Sequence, residues 1–157
     1  MQVTARRAVP ADLPLLTDLV EAGVAAARAQ RGGALWVLER APHVPLSADW
    51  LTRLDTTSTA VLAGCIDDVA VGVLLASRRA LIDQRLLARI DLVFVDPEAR
   101  DVGVGEALVH GAAGWAVASG CIGLDGLALP GDRQTKNLYE RAGMTAREIT
   151  VYRELAP

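Results

Sequence analysis

Residues 91–108 constrain the fold of this 157-residue chain more than any other stretch. They begin with an apolar run typical of a buried strand, turn at Pro97, pass through a loop that contains Gly103 and Gly105, and continue as an amphipathic helix. The first N–H groups of a helix have no intrahelical partner, and with the helix dipole they favour an anion. Glycine has no Cβ, so a phosphate can approach the main chain closely. The segment therefore predicts a pyrophosphate-binding loop between a strand and a helix.

Two well-known glycine motifs do not fit this loop. A dinucleotide-binding fingerprint requires a third glycine where this chain has Leu108. A P-loop requires a Lys followed by Ser or Thr, and the residues after Gly105 are Glu106 and Ala107. The loop therefore belongs to neither class.

A different pattern matches. Arg100-x-x-Gly103-x-Gly105, preceded by Val95-x-Pro97, resembles the acetyl-CoA loop of the GNAT superfamily of N-acetyltransferases. The pattern alone is short, but the preceding strand and a second motif downstream, at the distance typical of that family, make the resemblance specific.

The second motif covers residues 132–144 and is similar to the family pattern Asn-x-x-Ala-x-x-Leu-Tyr-x-x-x-Gly-Phe. Leu138, Tyr139 and Gly143 match it. The departures from it are Asp132 for Asn, Thr135 for Ala and Met144 for Phe. Asn137 lies nearby in the motif and is our candidate to replace the contact that the missing Asn makes with CoA.

Composition narrows the class of protein. With 52% hydrophobic and 22% charged residues the chain is globular, and its length predicts a single domain over residues 1–157. A net charge of −3 argues against nucleic acid as the main partner. No apolar run approaches the ~20 residues that span a bilayer, and no secretory signal is visible, so we expect a cytoplasmic protein without a membrane partner. Cys65 and Cys121 are isolated, which predicts neither a metal site nor a disulfide.

The hydrophobic pattern predicts strands and helices in the order β-α-α-β-β-β-α-β-α-β. The expected strands are residues 4–8, 59–66, 69–78, 87–95, 122–129 and 146–155, with a hairpin turn at Asp67-Asp68. The four expected helices begin near Asp12, at Ser47, at Gly103 and at Asp132, and a short turn of helix is expected over Leu35–Arg40. The helix from Ser47 carries Trp50, Leu51 and Leu54 and is the least certain of them.

The resemblance implies an α/β fold with a mixed, largely antiparallel sheet of about six to seven strands flanked by about four helices. The family usually ends in two strands after its last helix, and only about a dozen residues follow that helix here. We therefore expect an acceptor site that is either open or completed by a second subunit of a homodimer.

Residues of the donor site follow from the resemblance. The main chain of Phe94 and Val95 is expected to pair with the pantetheine arm of CoA, which enters the sheet like an extra strand. Arg100 is expected at the mouth of the pyrophosphate loop. The N–H groups that take the pyrophosphate are those of Val102, Gly103, Val104, Gly105 and Glu106.

Two side chains are candidates for catalysis. Tyr139 is placed to protonate the departing thiolate as a general acid, and its simpler interpretation is a packed helix residue. By the resemblance, Asp91 would take the proton of the acceptor ammonium, directly or through water. Its simpler interpretations are a carboxylate that is hydrogen-bonded at the edge of the strand and one that only orients the substrate.

Other basic residues have weaker assignments. Lys136, Arg141 or Arg133 would reach the CoA phosphates unless they form a solvated helix face. His110 is expected at the surface or in a structural role.

The acceptor pocket has three candidate residues, His43, Trp36 and Trp50, for which packing is the simpler interpretation. Residues 23–57, where the family selects its acceptor, carry no signature that identifies one.

The sequence thus predicts an acyltransferase that moves an acetyl group from acetyl-CoA to the primary amine of a small molecule or peptide. The amine would attack directly in a ternary complex, with no metal. Two alternatives stay open: transfer of a longer acyl group, and a regulatory module that binds CoA or acyl-CoA without turnover.

Overall fold

The computed structural model describes residues 1–42, Leu54 and residues 57–156. These residues form a mixed sheet with helices on both faces, which confirms the predicted α/β class. The strands are β1 (Val3–Arg7), β2 (Thr59–Ile66), β3 (Val69–Ala80), β4 (Leu86–Val95) and β5 (Cys121–Asp125). The helices are α1 (Leu13–Arg28), α2 (Gly33–Glu39), α3 (Val104–Ala118) and α4 (Arg133–Arg141). Short 3-10 turns at Pro10–Asp12 and Pro97–Ala99 precede α1 and the glycine loop.

The strands lie in the sheet in the order of the sequence, β1-β2-β3-β4-β5. Neighbours are antiparallel from β1 to β4, and β5 runs parallel to β4. The predicted hairpin joins β2 to β3, and both turn residues, Asp67 and Asp68, have left-handed φ angles of 46° and 67°. A two-residue turn of that kind matches the twist of the two strands, which explains why short Asp residues occupy it.

Each face of the sheet carries its own hydrophobic core. Helix α1 covers one face with the fully buried Leu16 and Val20 against Val73 and Leu75. Helices α3 and α4 cover the other face. The hydrophobic core on that side includes Leu74, Ile90, Val104, Leu108, Leu138 and Tyr139. Burial of this kind contributes about 1.5–3 kcal/mol for each large side chain.

Two glycines bring the start of α3 close to the sheet. A Cβ on Gly64 would lie 2.7 Å from Val104 Cγ1, and a Cβ on Gly72 would lie 3.1 Å from the same atom. Because β2 and β3 have no side chain at these points, the first turn of α3 rests directly on the sheet. This contact fixes the N-terminus of α3 next to the end of β4.

The predicted last strand over residues 146–155 is wrong. Beyond Met144 the chain forms no strand of the described sheet, so the sheet has five strands and not six to seven. Arg147 is held at the end of β5 by its bond from Nε to Asp125 Oδ1, at 2.7 Å. The large apolar residues of the segment lie 69–88% exposed and are Ile149, Val151, Tyr152 and Leu155. An alternation of apolar residues does not determine whether a neighbouring edge pairs with the segment.

Two further predictions differ in extent. The strand expected over residues 122–129 ends at Asp125, because its only partner, β4, diverges from it at that point. The helix predicted at Ser47, with Trp50 and Leu51, lies outside the described residues. Leu54 is described, and it packs against the core beneath α1. None of the helices in the described part of the chain combines the length and the apolar character needed to cross a bilayer.

Candidate active site

A cleft of about 490 Å³ opens where β4 diverges from β5. Its walls come from the second half of β4, the loop after it, the N-terminus of α3, the second half of α1, and the side of α4 that carries Tyr139. The volume lies within the range of about 300–1,000 Å³ found for small-molecule sites. This cleft is therefore the candidate active site.

The divergence begins after Arg89. Strand β5 pairs with Leu86, Ala88 and Arg89 of β4, and no residue of β5 pairs with the strand from Ile90 to Val95. Among the described strands, β3 alone pairs with that length of β4. Its other edge carries main-chain donors and acceptors that face the cleft, and an extended chain can pair with them. Phe94 and Val95, which were predicted to pair with a ligand, lie in this edge and line the cleft.

A β-bulge at Asp91 produces the divergence. Leu92 pairs with Leu75 and Ile90 with Ala76, so Asp91 is the extra residue in β4. A bulge bends its strand and re-aims the side chains around it. Here Ile90 packs in the core under α3, whereas Leu92 packs in the core under α1. Asp91 is half-buried and lines the cleft, where the sequence predicted it.

The glycine loop ends at the N-terminus of α3. Gly103 is the residue before the helix and has φ = 96°, a left-handed conformation that only glycine adopts without strain. The N–H of Ala107 is the first to bond back, to Gly103 O at 3.0 Å. The earlier N–H groups, at Val104, Gly105 and Glu106, therefore remain available along the cleft wall. Val102 was predicted to share this role, but its side chain is exposed and it does not line the cleft.

Arg100 lies in the glycine loop and forms hydrogen bonds to both sides of it. Its Nε donates to Val95 O at 2.9 Å, and one of its terminal nitrogens donates to Gln134 Oε1 at 2.8 Å on α4. The guanidinium also lies 5.3 Å from the centre of the Phe94 ring, a cation–π distance. Arg100 thus joins the end of β4 to α4 and lines the cleft, so its position at the loop is that expected from the sequence.

Tyr139 lies on α4 at the opposite wall, 8% exposed. A Cβ on Gly126 would lie 2.6 Å from its Cζ, so the ring rests on the main chain just beyond β5. Burial, and then the negative charge of Asp132, raise the pKa of the Tyr139 hydroxyl well above its ordinary value of 10.0. The hydroxyl is therefore protonated at neutral pH, the state that a general acid requires.

The start of α4 is fixed by Asp132, the predicted cap. Its Oδ1 accepts from the N–H of Thr135 at 3.0 Å, and its Oδ2 accepts from the hydroxyl of Thr135 at 2.7 Å. The two substitutions in the second motif, Asp for Asn and Thr for Ala, therefore contact each other. Asn137 lines the cleft and is exposed, as a residue that contacts a ligand must be.

The remaining predicted residues divide between cleft and surface. Arg141 lines the cleft and pairs with Glu106 at 2.7 Å, whereas Lys136 pairs with Glu140 at 3.7 Å outside it. Trp36 lines the cleft and is buried. Those that do not line it are Arg133 and the exposed His110. Two others, His43 and Trp50, lie outside the described residues.

Sequence reasoning named Trp36 of α2 as a candidate for the acceptor pocket, but it missed the part of the wall that α1 supplies. Gly23, in the middle of α1, lies so close to β4 that a Cβ would be 3.0 Å from Phe94 Cβ. A glycine in a helix interior lowers stability, so its presence was a usable signal of close approach. Arg40 and Arg89, next to Asp91, were also missed. An arginine inside an apolar strand such as β4 was the signal there.

A family model shows the family, and solved structures show the same fold. The acetyltransferase (GNAT) family model matches residues 32–144. The aminoglycoside N-acetyltransferase AAC(6')-Iy, solved with the bisubstrate analogue CoA-S-monomethyl-acetylneamine, is 20% identical with a TM-score of 0.73, and the match covers 99% of this chain and 100% of that chain. A transcriptional regulator from Bacillus halodurans C-125 is also 20% identical, with a TM-score of 0.70 and coverage of 98% and 100%.

An aminoglycoside acetyltransferase from an uncultured soil metagenomic sample, meta-AAC0020, solved with trehalose, is 18% identical with a TM-score of 0.70, and the match covers 99% of this chain and 96% of that chain. At these identities the solved structures show the shared fold. No curated protein matches the sequence.

Proposed function

The chain belongs to the acetyltransferase (GNAT) family, and from that premise we propose that it transfers an acetyl group from acetyl-CoA to a primary amine. The observation that carries the proposal is the continuity of one wall: the unpaired edge of β4 leads directly into the glycine loop and the N-terminus of α3. That wall offers main-chain groups to an extended arm and N–H groups to a pyrophosphate in one line.

The fit of CoA to this wall rests on shape and charge. Gly103 has open space where a Cβ would be, with nothing within 4 Å, so a phosphate can approach the main chain there. The 15-residue helix behind the loop adds its dipole. Phe94, Val95, Arg100, the residues from Gly103 to Glu106, and Asn137 would hold the donor, which supplies an activated acetyl group.

Asp91 would act as the general base and Tyr139 as the general acid of the acetyl transfer. Asp91, at the bulge, would take the proton of the acceptor ammonium, so that the nitrogen lone pair is free to form the new C–N bond. Tyr139, on the other wall, would give its proton to the sulfur as the C–S bond breaks. The second proton of the attacking nitrogen would pass to solvent as the amide forms, and Tyr139 would recover a proton from solvent. Neither step needs a covalent enzyme species, so direct attack in a ternary complex is the mechanism we favour.

Turnover tests this proposal against its rivals. Release of free CoA thiol from acetyl-CoA, measured over a broad panel of primary amines, would establish an N-acetyltransferase. Saturable binding of acetyl-CoA with no thiol release for any amine would instead favour a regulatory module. A higher kcat/KM with butyryl-CoA than with acetyl-CoA would favour transfer of a longer acyl group.

We also propose that the protein is a homodimer. The segment after α4 leaves four large apolar side chains 69–88% exposed, Ile149 and Val151 among them. Exposure of such a set usually marks a contact surface, and a second copy would cover it. Size-exclusion chromatography with light scattering should give twice the mass of one chain. A monomer at micromolar concentration would contradict the proposal.

A further inference from the structure

A smaller cavity of about 180 Å³ adjoins the active-site cleft on the side of α2. The two cavities share the residues at their junction: Trp36, Ile90, Asp91 and Leu127. The smaller one is lined in addition by the guanidinium-bearing residues Arg40 and Arg89. It therefore extends the cleft past Asp91, the residue to which we assign the acceptor amine, and away from the glycine loop.

Arg89 lies two positions before Asp91 on β4, and both residues line the smaller cavity. It is half-buried, and within residues 1–42 and 57–156 its side chain forms no ion pair or hydrogen bond. The carboxylate opposite it in the sheet register is Asp125. That carboxylate is already bound by Arg147 at 2.7 Å, and Arg79 approaches it to 3.9 Å.

Charges of both signs lie near Arg89. Burial, followed by the charges of Arg79 and Arg40, lowers the pKa of its guanidinium from the ordinary value, and the carboxylates of Asp125 and Asp91 oppose that shift without reversing it. A partly desolvated guanidinium without a partner is unfavourable unless an anion reaches it, and a carboxylate fits its fork of donors. Arg40 bonds to its neighbour Glu39 at an exposed position, which leaves part of its guanidinium free to turn to the cavity.

We propose that this cavity binds the negative group of the acceptor, so that the substrate is an amine that also carries a carboxylate. The carboxylate would lie against Arg89 and Arg40, and the amine would lie beside Asp91. The short distance along β4 selects an amine and a carboxylate separated by a few bonds, as in a free amino acid. Trp36 and Leu127 supply apolar walls for the carbon atoms between them.

The proposal rests on the proposed acetyl transfer and separates this chain from enzymes for polycationic acceptors. A polyamine or an aminoglycoside would bring further positive charge to Arg89, Arg40 and Arg79, and like charges repel. The structural neighbours that carry aminoglycoside names share the fold with this chain, but these arginines argue for a different acceptor.

The test compares matched amines. Thiol release from acetyl-CoA is measured with glycine and glycinamide, β-alanine and β-alaninamide, 4-aminobutyrate, the proteinogenic α-amino acids with their amides, and spermidine. We expect kcat/KM for the best carboxylate to exceed that for its amide by about tenfold or more, the discrimination typical of a charge-assisted bond. Arg89→Gln should remove this preference, and Arg89→Lys should retain part of it.

Two controls make the result decisive. Arg85→Gln changes an exposed arginine that pairs only with Asp83, and it should leave every rate unchanged. Acetyl-CoA affinity, measured by titration, should be the same in both Arg89 variants and the wild type.

The outcomes are distinct. Equal or better turnover of the amides or of spermidine, or a carboxylate preference that survives Arg89→Gln, would overturn the acceptor assignment. Absence of thiol release with every carboxylate, in protein that binds acetyl-CoA, would overturn it as well. Failure of the wild type to bind acetyl-CoA would instead contradict the proposed function.

Discussion

The two walls of the cleft are built on different principles. The proposed donor wall, formed by the end of β4, the glycine loop and the start of α3, presents main-chain groups whose positions follow from a bulge, a turn and a left-handed glycine. The proposed acceptor wall, formed by α1, α2 and the first half of β4, presents side chains such as Trp36 and Arg89. Main-chain recognition requires particular residue types at fixed spacing, whereas side-chain recognition changes freely with the substrate. A donor site of this kind can therefore be predicted from the sequence, whereas the identity of the acceptor cannot.

The largest effect is expected on the donor wall. Gly103→Trp places a large side chain in the open space of the loop and forces a left-handed conformation that disfavours non-glycine residues by about 1–2 kcal/mol. We expect acetyl-CoA affinity, measured by calorimetric titration, to fall by at least about 100-fold, or more than 2.7 kcal/mol.

Gly120→Trp is the matched control for this variant. Gly120 has φ = 78° and equally open surroundings, but it lies at the far end of α3 and outside the cleft. Gly120→Trp introduces the same backbone strain as Gly103→Trp but lies away from the proposed CoA site, so it should leave acetyl-CoA affinity unchanged. Equal losses in the two variants would mean that Gly103 matters only for stability.

The next effect separates binding from chemistry. Tyr139→Phe removes the proposed general acid while it keeps the ring on Gly126. We expect kcat to fall by about 100-fold or more, with acetyl-CoA affinity within about twofold of the wild type. Because the pKa of Tyr139 is raised, its hydroxyl keeps its proton through the neutral range and loses it only at higher pH. No loss of kcat below about pH 10 should therefore arise from this residue. An unchanged kcat in Tyr139→Phe would remove it from the mechanism.

A smaller effect tests how Tyr139 is positioned. Gly126→Ala would place a Cβ 2.6–2.9 Å from three atoms of the Tyr139 ring, so the ring must move. We expect kcat to fall by about tenfold, since small displacements of a catalytic group cost one to two orders of magnitude. Combined with Tyr139→Phe, the change should add little, because both act through one group.

Gly123→Ala, three residues earlier and within β5, is the control for Gly126→Ala. Its Cβ would meet only the end of the Leu87 side chain, at 3.3 Å, which can adjust. Its kcat should match the wild type. A full additional loss in the double variant Gly126→Ala/Tyr139→Phe would mean that Gly126 acts elsewhere.

The contrast between the walls also explains which features could be predicted from the sequence. The β2–β3 hairpin, the strand–loop–helix unit around Gly103 and the cap at Asp132 are local, since each is determined by residues a few positions apart. The bulge at Asp91 is not local, because it depends on how β4 pairs with β3 and diverges from β5.

The failed prediction has the same cause. Residues 146–155 have the alternation of a strand, but whether they pair depends on an edge elsewhere in this chain or in another. The cavity with Arg40 and Arg89 likewise joins α2 to β4, which lie about 50 residues apart in the sequence.

The most direct measurement is calorimetric titration of the wild-type protein with acetyl-CoA, with free CoA alongside. If the β4 edge and the glycine loop hold the donor as proposed, binding should be saturable with one site per chain and a Kd between about 1 µM and 100 µM, in the usual range for enzyme substrates. Absence of saturable binding at millimolar concentration would contradict the assignment of the cleft, because the roles of Asp91 and Tyr139 both depend on that donor.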